Sequence, residues 1–239
     1  MDTGRSRPRE FYPCQSVSGL RILFPMLFQT VLFDLDGTLL DHFAAIHRSH
    51  AYTMKKLGLP EPTLAQVHAA VGAGVEVAVE RLVGPQLKAA ALAIYRPYWD
   101  ATMLDDVVLL PGAKELLVWL RQRGVRTGVF TNKHGPSGRL VCAHLGVAGL
   151  LDCNFGATDT PWLKPDPRFA RHVLAALGAD AATTLLIGDS PYDFQAARNA
   201  GLGFHGVTTG THTAAELQAA GATEIFPDLP AIHRRLAGS

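Results

Sequence analysis

Four short apolar runs punctuate the chain, and each closes on polar residues. Val31–Phe33 ends at Asp34, Val125–Phe130 at Thr131, and Thr184–Ile187 at Gly188-Asp189. A weaker run, Phe204–Val207, ends at Thr208-Thr209-Gly210. Continuous rather than alternating apolar character predicts strands buried on both faces, as in a parallel sheet. Helical patterns separate the later three. Ala113–Arg123 places Leu116, Leu117 and Leu120 on one face and stops at Gly124. Asp166 suits an N-cap with Pro167 at the first helical position, and Val173, Leu174 and Leu177 follow before Gly178. This alternation predicts an α/β fold with a parallel sheet and right-handed crossovers. In such sheets ligands bind at the carboxyl ends of the strands, where all four polar clusters fall.

Between the first two runs lie roughly ninety residues, far more than one crossover helix needs. Residues 42–57, 63–71, 75–83 and 86–104 read as helices, punctuated by Gly58, Gly72, Gly74 and Gly84. Pro97 is expected to kink or split the last of them. The pattern predicts a core formed by residues 26–41 and 110–239, with an inserted α-helical cap over 42–109. Residues 1–25 carry Arg5, Arg7, Arg9, Pro8 and Pro13 without periodicity. They are expected to form a loosely ordered extension, with Met26 as the true start. Pro25 interrupts the apolar patch Leu20–Phe24, which argues against a signal peptide.

Hydrophobic residues make up 48% of the chain and charged residues 18%, which is the balance of a globular protein with ample core. The formal net charge of +1 provides no basis for binding nucleic acid or an anionic membrane surface. No apolar run approaches the roughly 20 residues of a spanning helix. Cys14, Cys142 and Cys153 are odd in number and lack C-x-x-C spacing. They read as reduced thiols of a cytoplasmic protein, not as a disulfide frame or a zinc site.

Candidate chemistry sharpens the picture. Asp34 and Asp36, two apart at the end of a strand, can point into one site. Two carboxylates that close are costly unless a metal or a shared proton compensates them. The plainer alternative is a solvated turn closed by Asp36-Gly37. The other strand ends and loops add Thr131-Asn132-Lys133, Lys164, Asp189 and Asp193. D-L-D-G-T-L at 34–39, F-T-N at 130–132, K-P-D-P at 164–167 and G-D-S-P-Y-D at 188–193, in that order, resemble the haloacid dehalogenase-like hydrolase superfamily. The resemblance runs from Thr30 to about Leu236 and is strongest to phosphoglycolate phosphatase-like members with a small helical cap. It implies a Rossmann-like core with helices on both faces.

The resemblance also implies roles. Asp34 would be the nucleophile that forms an aspartyl-phosphate. Asp36 would protonate the leaving oxygen and then activate water, a role that calls for a raised pKa. Mg²⁺ would be held by Asp34, the main-chain carbonyl of Asp36, and Asp189, oxygen ligands that suit it. Thr131 and Asn132 would hold phosphate oxygens, and Lys164 would set a positive charge against the transferring group. Lys133 and His134 read as loop residues able to touch a substrate anion. Gly72-Ala73-Gly74 is a candidate specificity loop facing the site, or an ordinary turn. Asp193, three after Ser190, reads equally as a capping-box residue or as part of the site. The expected partner is a small phosphorylated metabolite, phosphoglycolate being one candidate.

Dehalogenases of the superfamily lack an aspartate at the position of Asp36, so its presence points to phosphate chemistry. One alternative is β-phosphoglucomutase-like phosphoryl transfer, for which His47-Arg48 is the relevant pair. Another is a Schiff-base hydrolase using Lys55, Lys56 or Lys88. A third is a non-catalytic protein that binds a phosphorylated metabolite on the same fold.

Overall fold

The computed structural model describes residues 28–238. The extension expected over 1–25 and the start expected at Met26 lie outside these residues. Strand β1 (Thr30–Phe33) leads into a short β2 (Leu40–Asp41). Four helices follow, α1 (Phe43–Lys56), α2 (Leu64–Ala70), α3 (Val75–Val83) and α4 (Lys88–Thr102), and then β3 (Val108–Leu109). Beyond it the chain alternates: α5 (Ala113–Gln122), β4 (Arg126–His134), α6 (Gly135–His144), β5 (Cys153–Ala157), α7 (Pro167–Leu177), β6 (Thr184–Gly188), α8 (Pro191–Ala200), β7 (Gly203–Val207), α9 (Ala214–Ala220), β8 (Ile225–Phe226) and α10 (Leu229–Ala237).

Six strands form one sheet in the order β5-β4-β1-β6-β7-β8. Every pairing in it is parallel. The chain steps from β1 to β4 and β5 on one side, then crosses back to β6, β7 and β8 on the other. The order therefore reverses at β1, and the crevice of such a sheet opens beyond the carboxyl end of that strand. Alternation along β1 builds two cores. Val31 and Phe33 pack with Leu116, Leu117 and Leu120 of α5, Val141 of α6 and Ile232 of α10. Leu32 faces the other way, onto Phe169 and Val173 of α7 and Ala196 and Ala197 of α8. All four residues of β1 are fully buried, each large apolar one contributing roughly 1.5–3 kcal/mol relative to exposure. This is the Rossmann-like α/β architecture.

Some elements differ from expectation. β4 runs on past Phe130 to His134, so Lys133 and His134 are strand residues and not loop residues. β5 and β8 arise from stretches with no continuous apolar run. α4 continues unbroken through Pro97. Its buried stripe, Ala91, Tyr95 and Trp99, packs against Ala45, Ile46 and Val79, which offsets the one backbone hydrogen bond that proline removes.

Helices α1–α4 share that apolar cluster of their own. The chain enters and leaves them through the antiparallel pair β2–β3, with Leu40 opposite Leu109 and Asp41 opposite Val108. His42 and Met103 close the neck: the ring Nε2–H donates to the Met103 carbonyl at 2.5 Å. Arg48 pairs with Asp106 and donates to the Thr102 carbonyl at 2.9 Å. Among the described residues no helix is long and apolar enough to cross a membrane.

His50 of α1 is 2% exposed and its ring lies 4.7 Å from that of Tyr95. Burial, with a smaller contribution from His47, pushes its pKa down to about 4. Between that value and the ordinary 6.5 the unfolded chain takes up a proton that the folded chain refuses. Stability is thus fully present above about pH 6.5 and falls as pH drops towards 4, by roughly 3 kcal/mol from this residue. Urea unfolding of His50→Phe at pH 7 and pH 4.5 is expected to show a smaller acid-induced loss than the parent protein. An equal loss would remove His50 as a source of the acid sensitivity.

Candidate active site

Asp34 leaves the carboxyl end of β1 between the ends of β4 and β6, its backbone N–H bonded to the Ile187 carbonyl at 3.0 Å. The chain then turns back sharply. The N–H groups of Thr38, Leu39 and Leu40 all converge on the Leu35 carbonyl, and Gly37 takes a left-handed φ of 85°. A side chain at Gly37 would also meet Gly210 and the Asp189 carboxylate, with its Cβ 2.6 Å from the Gly210 Cα. The turn therefore needs glycine both for its conformation and for its close approach.

Lys164 is the hub. It is 4% exposed, and its ammonium donates to Asp34 Oδ1 at 2.7 Å and to Asp193 Oδ1 at 2.5 Å. Burial would lower its pKa, but the Asp193 and Asp34 carboxylates outweigh burial and the net shift is upward. The lysine stays a cation. Burial raises the pKa of Asp34 to about 6, with Asp193 adding to the rise and Lys164 and the Thr131 hydroxyl opposing it. Asp189 is raised well above the ordinary range, by burial first and then by Asp193 and Asp34.

Asp193 makes two sets of contacts, one with the start of α8 and one with Lys164. Its Oδ2 accepts the Ser190 N–H at 3.0 Å and the Ser190 hydroxyl at 2.6 Å, a capping box at the start of α8. Its Oδ1 serves Lys164.

Asn132 holds Lys164 in place. Its Oδ1 accepts the Lys164 N–H at 2.8 Å, and its Nδ2 donates to the Lys164 carbonyl at 3.1 Å. The same Nδ2 donates to the Gly72 carbonyl at 3.0 Å. The side chain thus joins Lys164 to the loop between α2 and α3, whereas the contact expected of Asn132 with phosphate oxygens runs through its backbone N–H. Gly72 and Gly74 of that loop line the cavity above Asp34. Arg81 of α3 adds a second link, from these helices to α8, reaching the Tyr192 hydroxyl at 3.1 Å.

Thr131 and Lys133 of β4 both reach the cavity, in a stretch where the pairing of β4 with β5 shifts register between Phe130 and His134. The Lys133 ammonium donates to both oxygens of Asp36 at 2.9 Å and to His42 Nδ1 at 3.1 Å. It also lies 4.8 Å from the centre of the Trp99 ring, a favourable cation–π distance. Since His42 Nε2–H faces a carbonyl, Nδ1 is the acceptor. Burial tends to raise the pKa of Asp36, but the Lys133 ammonium overcomes it and the net shift is downward. The raised pKa expected for an acid catalyst is therefore not what this arrangement produces. The bidentate ammonium is the reason. Lys133 and His42 are the functional neighbours that sequence reasoning underweighted. For Lys133 the available signal was its place in the polar cluster Thr131-Asn132-Lys133.

Asp34, Asp189 and Asp193 each present a carboxylate oxygen within 4.8 Å of the others. Both Asp193 oxygens are already taken, by Lys164 and Ser190. Asp189 is seated by the Thr211 N–H at 3.0 Å and the Thr38 hydroxyl at 3.4 Å. Asp34 and Asp189 are thus the carboxylates with capacity to spare, and crowded, poorly neutralised oxygens of this kind fit a hard divalent cation. Asp36 is turned from that group towards Lys133, so only its main chain could join the ligands.

His47 and Arg48 do not line the cavity. His47 bonds to the Pro62 carbonyl at 2.8 Å, and Arg48 serves the neck. Lys55 and Lys56 are exposed, and Lys88 is paired with Glu80 at 2.8 Å. None is a buried amine suited to a Schiff base.

Comparison with known proteins agrees with the geometry. The sequence pattern of the haloacid dehalogenase-like hydrolases matches residues 31–207. The phosphoglycolate phosphatase of Pseudomonas putida is 30% identical over 226 residues, 90% of this chain and 83% of that protein. That of Yersinia pseudotuberculosis is 33% identical over 187 residues, 75% of this chain and 81% of that one. A crystal structure described as a predicted phosphatase from Clostridium acetobutylicum superposes with a TM-score of 0.81 at 26% identity, covering 89% of this chain and 99% of that one. The match reaches from the strand that delivers Asp34 to the one beyond Asp189, and across that span the chain belongs to the haloacid dehalogenase-like hydrolases, among their phosphoglycolate phosphatase-like members.

Proposed function

We propose that the protein is a cytoplasmic, Mg²⁺-dependent phosphatase that hydrolyses a small phosphate monoester through an aspartyl-phosphate on Asp34. The carrying observation is the Lys164 ammonium set between Asp34 and Asp193, with Asp189 alongside. A buried carboxylate beside a fixed cation and a site for a divalent ion is what transfer of an anionic phosphoryl group needs. The relatives' names bring phosphoglycolate to this chain as the first substrate to try. We also propose that residues 26–41 and 110–239 act as the catalytic core, and that the helices within 42–109 act as a cap that excludes water.

In this reading Asp34 attacks phosphorus as the bond from phosphorus to the alcohol oxygen breaks. Asp36 gives its proton to that oxygen. Water, losing a proton to Asp36, then attacks the phosphorus of the aspartyl-phosphate and restores Asp34 and free phosphate. Bound Mg²⁺, held by Asp34, Asp189 and the Asp36 carbonyl, supplies the positive charge that lets a carboxylate approach a phosphate. Thr131 helps hold Asp34 ionised. Lys133 opposes protonation of Asp36, so the acid step requires the ammonium to leave that carboxylate. An arriving phosphate, itself anionic, supplies the competing attraction. Asn132 acts through the Lys164 backbone.

Hydrolysis of p-nitrophenyl phosphate tests the reading. Turnover is expected with Mg²⁺, loss of at least tenfold on adding EDTA, and recovery when Mg²⁺ is restored in excess. No hydrolysis in the presence of Mg²⁺ would overturn it.

A further inference from the structure

The cavity above Asp34, partly open to solvent, has a volume of about 610 Å³, far more than a phosphate and two carbons occupy. Much of its apolar lining comes from the helical insert: Phe43 and Ile46 of α1, Val71, Val75 of α3, and Tyr95 and Trp99 of α4. Pockets of this size and lining take ligands whose bulk is hydrocarbon and whose orientation is set by a few polar groups.

The charges tell the same story. Four cations line the cavity among the described residues: Lys88, Arg96, Lys133 and Lys164. Each already has a carboxylate partner. Lys164 holds Asp34 at 2.7 Å and Lys133 holds Asp36 at 2.9 Å, and these two face the phosphoryl group. Lys88 pairs with Glu80 and Arg96 with Glu76, both at 2.8 Å. Glu76 and Asp100 stand on the same lining. A second anionic group on the substrate would find each lining cation already paired and Glu76 and Asp100 beside it, with only neutral donors such as Thr158 and Thr160 left to receive it. An uncharged apolar group meets no such competition and gains contact with the apolar lining.

Resting on the phosphatase reading above, we infer that the alcohol released from the ester is uncharged and carries a ring-sized apolar group, so that glycolate is a poor leaving group here. The apolar wall formed by α1, α3 and α4 is the specificity surface, and it gains contact only with substrates large enough to reach it.

The test compares kcat/KM for benzyl phosphate, ethyl phosphate and phosphoglycolate with Mg²⁺. All three are esters of alkyl alcohols, so reactivity of the leaving group does not dominate the comparison. Benzyl phosphate is expected to exceed both others by at least tenfold. Val75→Lys, which sets a cation on the apolar wall, is expected to lower the ratio of benzyl phosphate to phosphoglycolate at least tenfold. Phosphoglycolate equal to or better than benzyl phosphate in the parent protein would overturn the inference and leave the phosphatase reading standing. If no ester is hydrolysed, the phosphatase reading fails, and binding of inert analogues decides the question about the wall. Tighter binding of benzylphosphonate than of phosphonoacetate supports it, and the reverse order overturns it.

Discussion

Replacing Asp34 with asparagine is expected to lower kcat by on the order of 10³-fold or more without weakening the fold. The amide is nearly isosteric and can still accept the hydrogen bond that Lys164 donates at 2.7 Å, so the end of β1 should keep its shape. What disappears is the nucleophilic lone pair of a carboxylate. Crowding falls at the same time, because Asp34 is one of three carboxylates gathered within 4.8 Å, and its pKa is already pushed up to about 6 by burial and by Asp193. Stability near neutral pH should therefore be equal or higher while turnover collapses. Steady-state hydrolysis of p-nitrophenyl phosphate beside urea unfolding measures the two separately. Full activity in Asp34→Asn would remove Asp34 as the nucleophile and with it the proposed intermediate.

Lys164→Met is expected to behave in the opposite way, losing stability as well as activity. The ammonium is the shared partner of Asp34 and Asp193, and all three groups are buried. Deleting one member of a buried ionic group leaves uncompensated charge and typically costs about 3–5 kcal/mol. Turnover should fall on the order of 10²-fold or more, as for loss of a single electrostatic contact to a transferring group. Excess Mg²⁺ should restore part of the stability, since a cation bound by Asp34 and Asp189 replaces some of the missing charge and favours the folded form by mass action. Urea midpoints with EDTA and with Mg²⁺ read this directly. A variant as stable as the parent in EDTA would show that the carboxylates do not depend on Lys164.

The strand ends could be read in the sequence because a strand buried on both faces is a continuous apolar run, and such a run stops where polar chemistry begins. That logic located Asp34 and Asp189 just past the ends of β1 and β6 and Thr131 in the last part of the neighbouring β4, three residues before that strand stops. It failed for β5 and β8. Cys153–Ala157 contains Asn154 and Gly156 and is only partly buried, while Ile225–Phe226 is two residues long. Sheet edges need less apolar surface and leave a weaker trace. At Pro97 local propensity predicts a kink or a split; the helix is not split, and the packing of Tyr95 and Trp99 on either side of the proline holds it together. Contacts such as His42 with Met103 join residues 61 positions apart, and no local pattern encodes them. Lys133 was only half legible, because its role depends on how far β4 extends past Phe130.

The Asn132 amide ties two events together. One side chain grips the backbone of Lys164 and, through the same nitrogen, the Gly72 carbonyl of the α2–α3 loop. In the mechanism proposed above, lifting that loop away would withdraw a support from the segment that carries the Lys164 ammonium, so access to the site and alignment of its cation would be coupled through one amide.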